Sequence, residues 1–284
     1  MMTIENISDT ARWVAVYRAM ETARPDAIFR DPFADRLAGP RGRQILDAMP
    51  QGKAYAWPMI VRTALFDEIL LDAVRKRSVD LVVNLAAGLD ARPWRLPLPP
   101  SLRWVDVDLP GILNYKTEEL RNDTPVCRYE AVTTDLTDVE ARRALFSRLG
   151  AGSSRAIVAT EGLLIYLEPE QVASLAADLH AQPGFQEWVF DLGSPQLLKR
   201  MERTWGKSLA ASGAPFRFAP AEGTDFFKPY GWREAEFRSM WIEAGRLKRT
   251  MKGAWFWNFV ARFYPKRVRE GFKRFSGIVR LERE

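Results

Sequence analysis

The stretch Leu81-Val82-Val83-Asn84-Leu85-Ala86-Ala87-Gly88-Leu89-Asp90 decides how this 284-residue chain folds. Residues 81–86 form a short, mostly apolar run that stops at Gly88, the pattern of a strand buried on both faces. Residues 104–108 make a second strand, followed by Pro110, which suits the first turn of a helix. Residues 126–132 read as a third strand with a helix across 139–149, and residues 155–160 as a fourth with a helix over 169–180. Residues 185–192 read as a fifth. Strand and helix in strict alternation imply an α/β chain: a parallel sheet with right-handed crossovers and helices on both faces.

Upstream, residues 1–77 read as a helical cap. Trp13, Val16, Tyr17 and Met20 recur at helical spacing, as do Phe66, Ile69, Leu70, Ala73 and Val74. Between the two stripes, Arg24-Pro25-Asp26 and Asp31-Pro32 break the helix. The remainder, 78–284, is the expected core, with an insertion over the sheet at about 194–230, rich in Gly, Pro and aromatics. A helix across 234–244 should follow, then strands at 246–251 and 278–282 flanking an aromatic, basic helix.

Hydrophobic content of 47% and charged content of 27% suit a soluble globular protein. Met1–Thr10 is polar and lacks the order of a signal peptide, and no apolar run approaches the roughly 18 residues of a spanning helix. A cytoplasmic protein without integral membrane association is therefore expected. The lone Cys127 has no internal partner and reads as a core residue. The net charge of +6 is concentrated near the end: residues 246–284 hold 12 Lys/Arg against 3 Asp/Glu. Such a surface could attract nucleic acid, membrane or an acidic substrate, or be a solvated face. No zinc-finger spacing or aromatic-glycine RNA-binding signature occurs, so neither nucleic acid nor a metal site is expected.

Ligands of an open parallel sheet bind beyond the carboxyl ends of its strands. Here those ends carry Ala86-Ala87-Gly88-Leu89-Asp90, then Asp106-Val107-Asp108, Asp135-Leu136 and Thr160-Glu161-Gly162. A small-residue turn lets backbone approach a nucleoside closely. Asp108 lies 20 residues after Gly88, where a ribose-binding carboxylate is expected. Asp135 could accept from an adenine amino group. Read blandly, Asp106 and Asp108 cap a helix and Asp135 forms a turn of its own. The pattern does not choose the nucleoside: with alanine for its first glycine, residues 86–91 are a degraded dinucleotide fingerprint, which leaves an NAD-dependent oxidoreductase open.

Several motifs in order carry a resemblance. Arg18-Ala19-Met20-Glu21, Arg24-Pro25-Asp26-Ala27 and Asp31-Pro32-Phe33-Ala34 are followed by Arg62-Thr63, Ala87-Gly88-Leu89-Asp90-Ala91-Arg92 and Trp94-Arg95-Leu96. Asp106-Val107-Asp108-Leu109-Pro110, Lys116, Asp135-Leu136 and Thr160-Glu161-Gly162-Leu163-Leu164-Ile165-Tyr166-Leu167 complete the set. Over residues 10–180 the chain resembles the bacterial branch of the leucine carboxyl methyltransferase family. The resemblance implies a Rossmann-like class I methyltransferase fold with a mostly parallel seven-stranded sheet. It also implies S-adenosyl-L-methionine as cofactor and methyl transfer to an oxygen of a small-molecule, polyketide-like acceptor. Carried over by position, Arg62 meets the cofactor's carboxylate, and Ala86 and Gly88 line its methionine and ribose. Asp108 takes the ribose, Asp135 with Leu136 the adenine, and Glu161 sits near the amino group. Members of that family often have glycine where Ala86 stands, although bacterial ones also carry alanine there, so the resemblance does not imply a lost site.

A carboxylate acceptor is ionised at neutral pH and needs no general base, whereas a hydroxyl benefits from one. The one histidine, His180, lies far from the strand ends and reads as structural. The lack of an evident base favours a carboxylate or an acidic phenol. Tyr166 and Arg18 are candidates for orienting it, against a core tyrosine and a cap salt bridge. The cluster Trp255, Phe256, Trp257, Phe259, Phe263 and Tyr264, followed by Lys266, Arg267 and Arg269, could form an acceptor pocket or core, or lie on a membrane. A cofactor-binding protein without turnover is the other reading.

Overall fold

A computed structural model describes residues 7–49, 52–211, 215–251, 253–261 and 263–284. Seven strands form one sheet: β1 (Leu81–Leu85), β2 (Arg103–Asp108), β3 (Arg128–Thr133), β4 (Ala156–Thr160), β5 (Phe185–Gly193), β6 (Trp232–Ser239) and β7 (Ser276–Arg283). Their order is β3-β2-β1-β4-β5-β7-β6, parallel throughout except β7, which runs against both neighbours. The mostly parallel seven-stranded Rossmann-like sheet is as expected.

Side-chain alternation along the strands builds two cores. Leu81, Val83 and Leu85 pack with Val105, Val107 and Val158 against α6 (Val139–Ala151) and α7 (Pro169–His180). Val82, Trp104, Ile157 and Val189 face the other way, against Leu65, Phe66, Ile69 and Leu70 of α3 (Ala56–Lys76). Asn84 and Asp106, register partners on adjacent strands, continue the positions of Val82 and Trp104 toward the carboxyl edge. Polar groups thus begin where the apolar pattern stops.

The amino-terminal helices α1 (Ile7–Thr22) and α2 (Ala34–Ala48) cover that edge. Ala15, Val16, Tyr17, Leu37 and Ala38 share a core with Leu89 and Ala91 of the loop between β1 and the short α4 (Arg92–Arg95), and with Ile112 of α5 (Pro110–Glu119). α3 belongs to both layers: Ala56 and Ile60 join the cap, and its later residues join the sheet.

Two expectations beyond β5 fail. Residues 234–244 are not one helix: β6 runs to Ser239, and a helix, α9, occupies only Met240–Arg246. The Glu, Ala and Arg content favours a helix, but hairpin pairing with β7 outweighs it, helped by cross-strand ion pairs of Arg233 with Glu282 and Arg280 with Glu236. Residues 246–251 are not a strand. The chain turns at Lys248 (φ 55°), and Arg249 reaches Glu21 of α1 at 2.8 Å in a buried ion pair. The expected insertion contains α8 (Pro195–Ala211) and a short 3-10 helix (Gly223–Tyr230). Its residues 212–214 lie outside the described residues, as do the side chains of Trp257 and Arg267. Among the described residues no helix is long and apolar enough to cross a membrane.

Candidate functional site

The turn after β1 and the end of β2 are clasped together. Gly88 N–H donates to Asp108 Oδ2 at 2.6 Å, and Leu109 N–H donates to Oδ1 at 2.7 Å. The turn takes left-handed backbone at both Ala86 (φ 54°) and Gly88 (φ 52°). Such backbone suits glycine, so Ala86 holds its conformation against the strain of its own side chain. A Cβ at Gly88 would stand 3.3 Å from Ala11 Cβ, so α1 lies directly over the turn. Burial raises the Asp108 carboxyl above its ordinary value, against the pull of the Gly88 and Leu109 amides and Lys116. Each carboxylate oxygen keeps a lone pair after accepting its amide, which is what a ribose diol requires.

On the other side of β1, Arg62 of α3 reaches the ends of β4 and β5. Its Nε donates to Glu161 Oε1 at 3.0 Å, and Nη1 lies 3.5 Å from Asp191 Oδ2. Gly162, at φ 69°, donates to Asp191 Oδ1 at 2.6 Å, and a Cβ there would come within 3.0 Å of Arg62 Nη1. Burial disfavours the guanidinium, but Asp191 and Glu161 outweigh it and raise its pKa. A guanidinium has five N–H donors, and two acceptors do not exhaust them.

Glu161 is itself held. Its Oε2 lies 2.9 Å from Arg92 Nη1, and Arg92 also bonds Asp90 at 2.6 Å and Asp67 at 2.6 Å. Burial raises the Asp90 carboxyl, yet Arg92, Lys116 and Arg95 overcome it and hold the group at about 2. Lys116 Nζ donates to Asp106 at 2.6 Å with both side chains fully buried, and Asn84 Nδ2 bridges Asp106 and Asp90 at 3.0 and 3.1 Å. A charged ladder therefore runs beneath the strand ends from Asp106 to Asp191.

Gly88, Asp108, Arg62 and Glu161 thus lie on one edge of the sheet, linked by β1 and this ladder. Asp135 is turned into its own loop, accepting from Thr137 N and Oγ1 at 2.8 and 2.7 Å; the Thr137 hydroxyl, then its amide, lowers the carboxyl. Leu136 beside it lines a pocket of about 190 Å³ with Thr137, Leu163 and Leu167. Arg18 is 8% exposed and committed, donating to Asp31 at 2.8 Å and to Leu89 O at 2.6 Å, which ties α1 to the turn. Tyr166 packs on Phe216 with ring centroids 5.7 Å apart, among Ile45, Met49, Leu198 and Met201. Burial, opposed by Arg62 and reinforced by Asp191, pushes its hydroxyl up to about 12.

Sequence reading missed Asp191 and the structural role of Arg92. Asp191 had a usable signal, an acidic residue closing the apolar run Trp188-Val189-Phe190 at a strand end. His180 lies away from this edge, its ring 5.7 Å from Trp232. Among the described residues no metal-binding group of His, Cys, Asp and Glu occurs. A larger groove of about 1100 Å³, between α3 and β6, contains none of these site residues and is crossed by the ion pair of Arg246 with Glu68 at 2.9 Å.

The chain is 33% identical over 192 residues to a Mycolicibacterium smegmatis protein named as a candidate S-adenosyl-L-methionine-dependent methyltransferase. That match covers 62% of this chain but 63% of the relative, a little under two thirds of its length. A Frankia alni protein of the same description is 31% identical over 241 residues, covering 80% of this chain and 83% of the relative. Among solved structures, a candidate methyltransferase from Thermobifida fusca shares the fold, with a TM-score of 0.58 at 13% identity, over 95% of this chain and 94% of that one. A family profile described as leucine carboxyl methyltransferase matches residues 11–180, and with that match the chain belongs to the leucine carboxyl methyltransferase family.

Proposed function

We propose that this chain transfers a methyl group from S-adenosyl-L-methionine to an oxygen of a small-molecule acceptor, a carboxylate or an acidic hydroxyl. The observation that carries the reading is Arg62. It is a largely buried guanidinium held between Glu161 and Asp191, on the same sheet edge as the Gly88–Asp108 clasp. Such a donor set matches an amino acid joined to a nucleoside: a fork for an α-carboxylate, acidic groups for an ammonium, and a carboxylate for a ribose diol. The cofactor, when bound, supplies an electrophilic methyl on a sulfonium.

In this reading Arg62 holds the carboxylate end and Glu161, fixed by Arg92, faces the amino group. Asp108 holds the ribose, and Leu136 offers an apolar wall to the base. Ala86 and Gly88 bring backbone close to the ligand. Asp135 contributes by shaping the loop that presents Leu136, and Arg18 by holding α1 over the turn. Tyr166 stays protonated at neutral pH with its pKa at about 12, so it donates a hydrogen bond to the acceptor and does not remove its proton. An acceptor already ionised fits that arrangement.

Two measurements test the proposal. Binding of S-adenosylhomocysteine by calorimetry should weaken at least tenfold in Arg62→Ala, about 1.4 kcal/mol, while 5′-methylthioadenosine, which lacks the carboxylate, is unaffected. Equal losses for both ligands would remove Arg62 from the carboxylate. Labelled-methyl transfer to a panel of acids and phenols, followed by mild alkali, separates base-labile esters from stable ethers. A protein that binds S-adenosylhomocysteine tightly yet transfers to none of them is a silent binder.

A further inference from the structure

Among the described residues ten large apolar side chains are exposed; six of them are aromatic, and all six lie between α9 and β7. Trp255 and Phe263 are each 76% exposed, and Phe256, Phe259, Tyr264 and Phe272 accompany them. They sit on α10 (Ala254–Ala261), on α11 (Lys266–Lys273) and on the turn joining them. Ring contacts link Phe259 to Phe263 at 5.3 Å and Tyr264 to Phe272 at 6.1 Å, so the two helices present one continuous surface. A patch of this kind on a soluble fold marks a contact surface.

Its charge identifies the partner. Residues 254–273, which make up the two helices and their turn, carry five Lys/Arg against the single acid Glu270, a net +4 where the whole chain carries only +6. Lys266 and Arg269 are exposed and have no ion pair among the described residues. Two copies meeting through this face in a symmetric dimer would bring the basic residues together, which like-charge repulsion opposes. Aromatic rings beside basic side chains suit instead the boundary layer of a bilayer: rings settle at headgroup depth and cations meet lipid phosphates. The segment returns to the sheet at Ser276, the register partner of Gly193, two residues beyond Asp191 on the edge that carries the candidate site.

We propose that α10, α11 and their turn dock the protein peripherally on the surface of an anionic lipid bilayer. The test is co-sedimentation of the full chain with vesicles of phosphatidylcholine alone or mixed equally with phosphatidylglycerol. Binding to the mixed vesicles should be at least tenfold tighter, and should fall when salt rises from about 0.1 M to about 1 M, as the Debye length shrinks from about 10 Å to about 3 Å. The double variants Trp255→Ala/Phe263→Ala and Lys266→Glu/Arg269→Glu should each lose at least tenfold in binding, with melting temperature and S-adenosylhomocysteine affinity unchanged. Absence of binding to the mixed vesicles, or variants that bind like the parent, would overturn the proposal. So would a dimer in sedimentation velocity that dissociates in Trp255→Ala/Phe263→Ala without any vesicle binding, because a second copy would then be what covers the patch. None of these readouts depends on methyl transfer.

Discussion

Replacing Asp108 by alanine separates a structural clasp from a ligand contact. The carboxylate accepts from Gly88 at 2.6 Å and from Leu109 at 2.7 Å. Leu109 is exposed and its amide can return to water, so the folded state loses chiefly the Gly88 bond. Hydrogen bonds to a charged group contribute about 1.5–3 kcal/mol, which sets the scale of destabilisation expected in urea unfolding. Loss of one further bond, to a ribose hydroxyl, should weaken S-adenosylhomocysteine binding roughly ten- to hundredfold. Calorimetry with S-adenosylhomocysteine and its 2′-deoxy analogue isolates the second effect: the parent should discriminate between them and Asp108→Ala should not. Because burial raises this carboxyl, its ionisation costs stability as pH rises through the folded value. A ligand that needs the ionised acceptor should therefore lose affinity on acidification at a pH above the ordinary value of 3.8. A folded Asp108→Ala variant with parental affinity, or with the parental preference for the 2′-hydroxyl, would refute the ribose assignment.

Lys116→Met should cost about 3–5 kcal/mol in urea unfolding, because it leaves the fully buried Asp106 without its countercharge. Adding Asp106→Leu should recover part of that loss, and no recovery would mean that Asn84 and Trp104 matter more than the charge. Tyr166→Phe should lower methyl transfer while S-adenosylhomocysteine affinity holds. The parent's pH–rate profile should show no tyrosine inflection below about 10, the ordinary value that burial already exceeds here. Ala86→Gly should stabilise by no more than about 1.5 kcal/mol: left-handed backbone costs a side chain about 1–2 kcal/mol, which glycine's greater chain entropy, about 0.5–1 kcal/mol, partly offsets. A loss of cofactor affinity in that variant would show that the Ala86 methyl contacts the ligand.

How far the sequence could be read depended on the range of each interaction. The strand-end rule singled out Gly88, Asp108 and Glu161 because each stands at the end of a strand-like run, and the parallel sheet aligns such ends without further information. What holds them is not local. Arg62 and Glu161 are 99 residues apart, and Arg249 and Glu21 are 228 apart. No window of sequence shows that Arg249 leaves an alternating pattern to neutralise a buried carboxylate in the cap. β6 was missed for a related reason: Glu234, Ala235 and Glu236 favour a helix until β7, paired some forty residues later in the chain, offers a ladder. Asp135 shows the converse limit. Its position was legible but its direction was not, since the neighbouring Thr137 offers two donors and draws the carboxylate into the loop. Composition along a strand edge therefore indicates which groups are gathered. Which of them remain available to a ligand depends on partners elsewhere in the chain, and Arg62, held between two acids with donors to spare, is the group for which that distinction matters most.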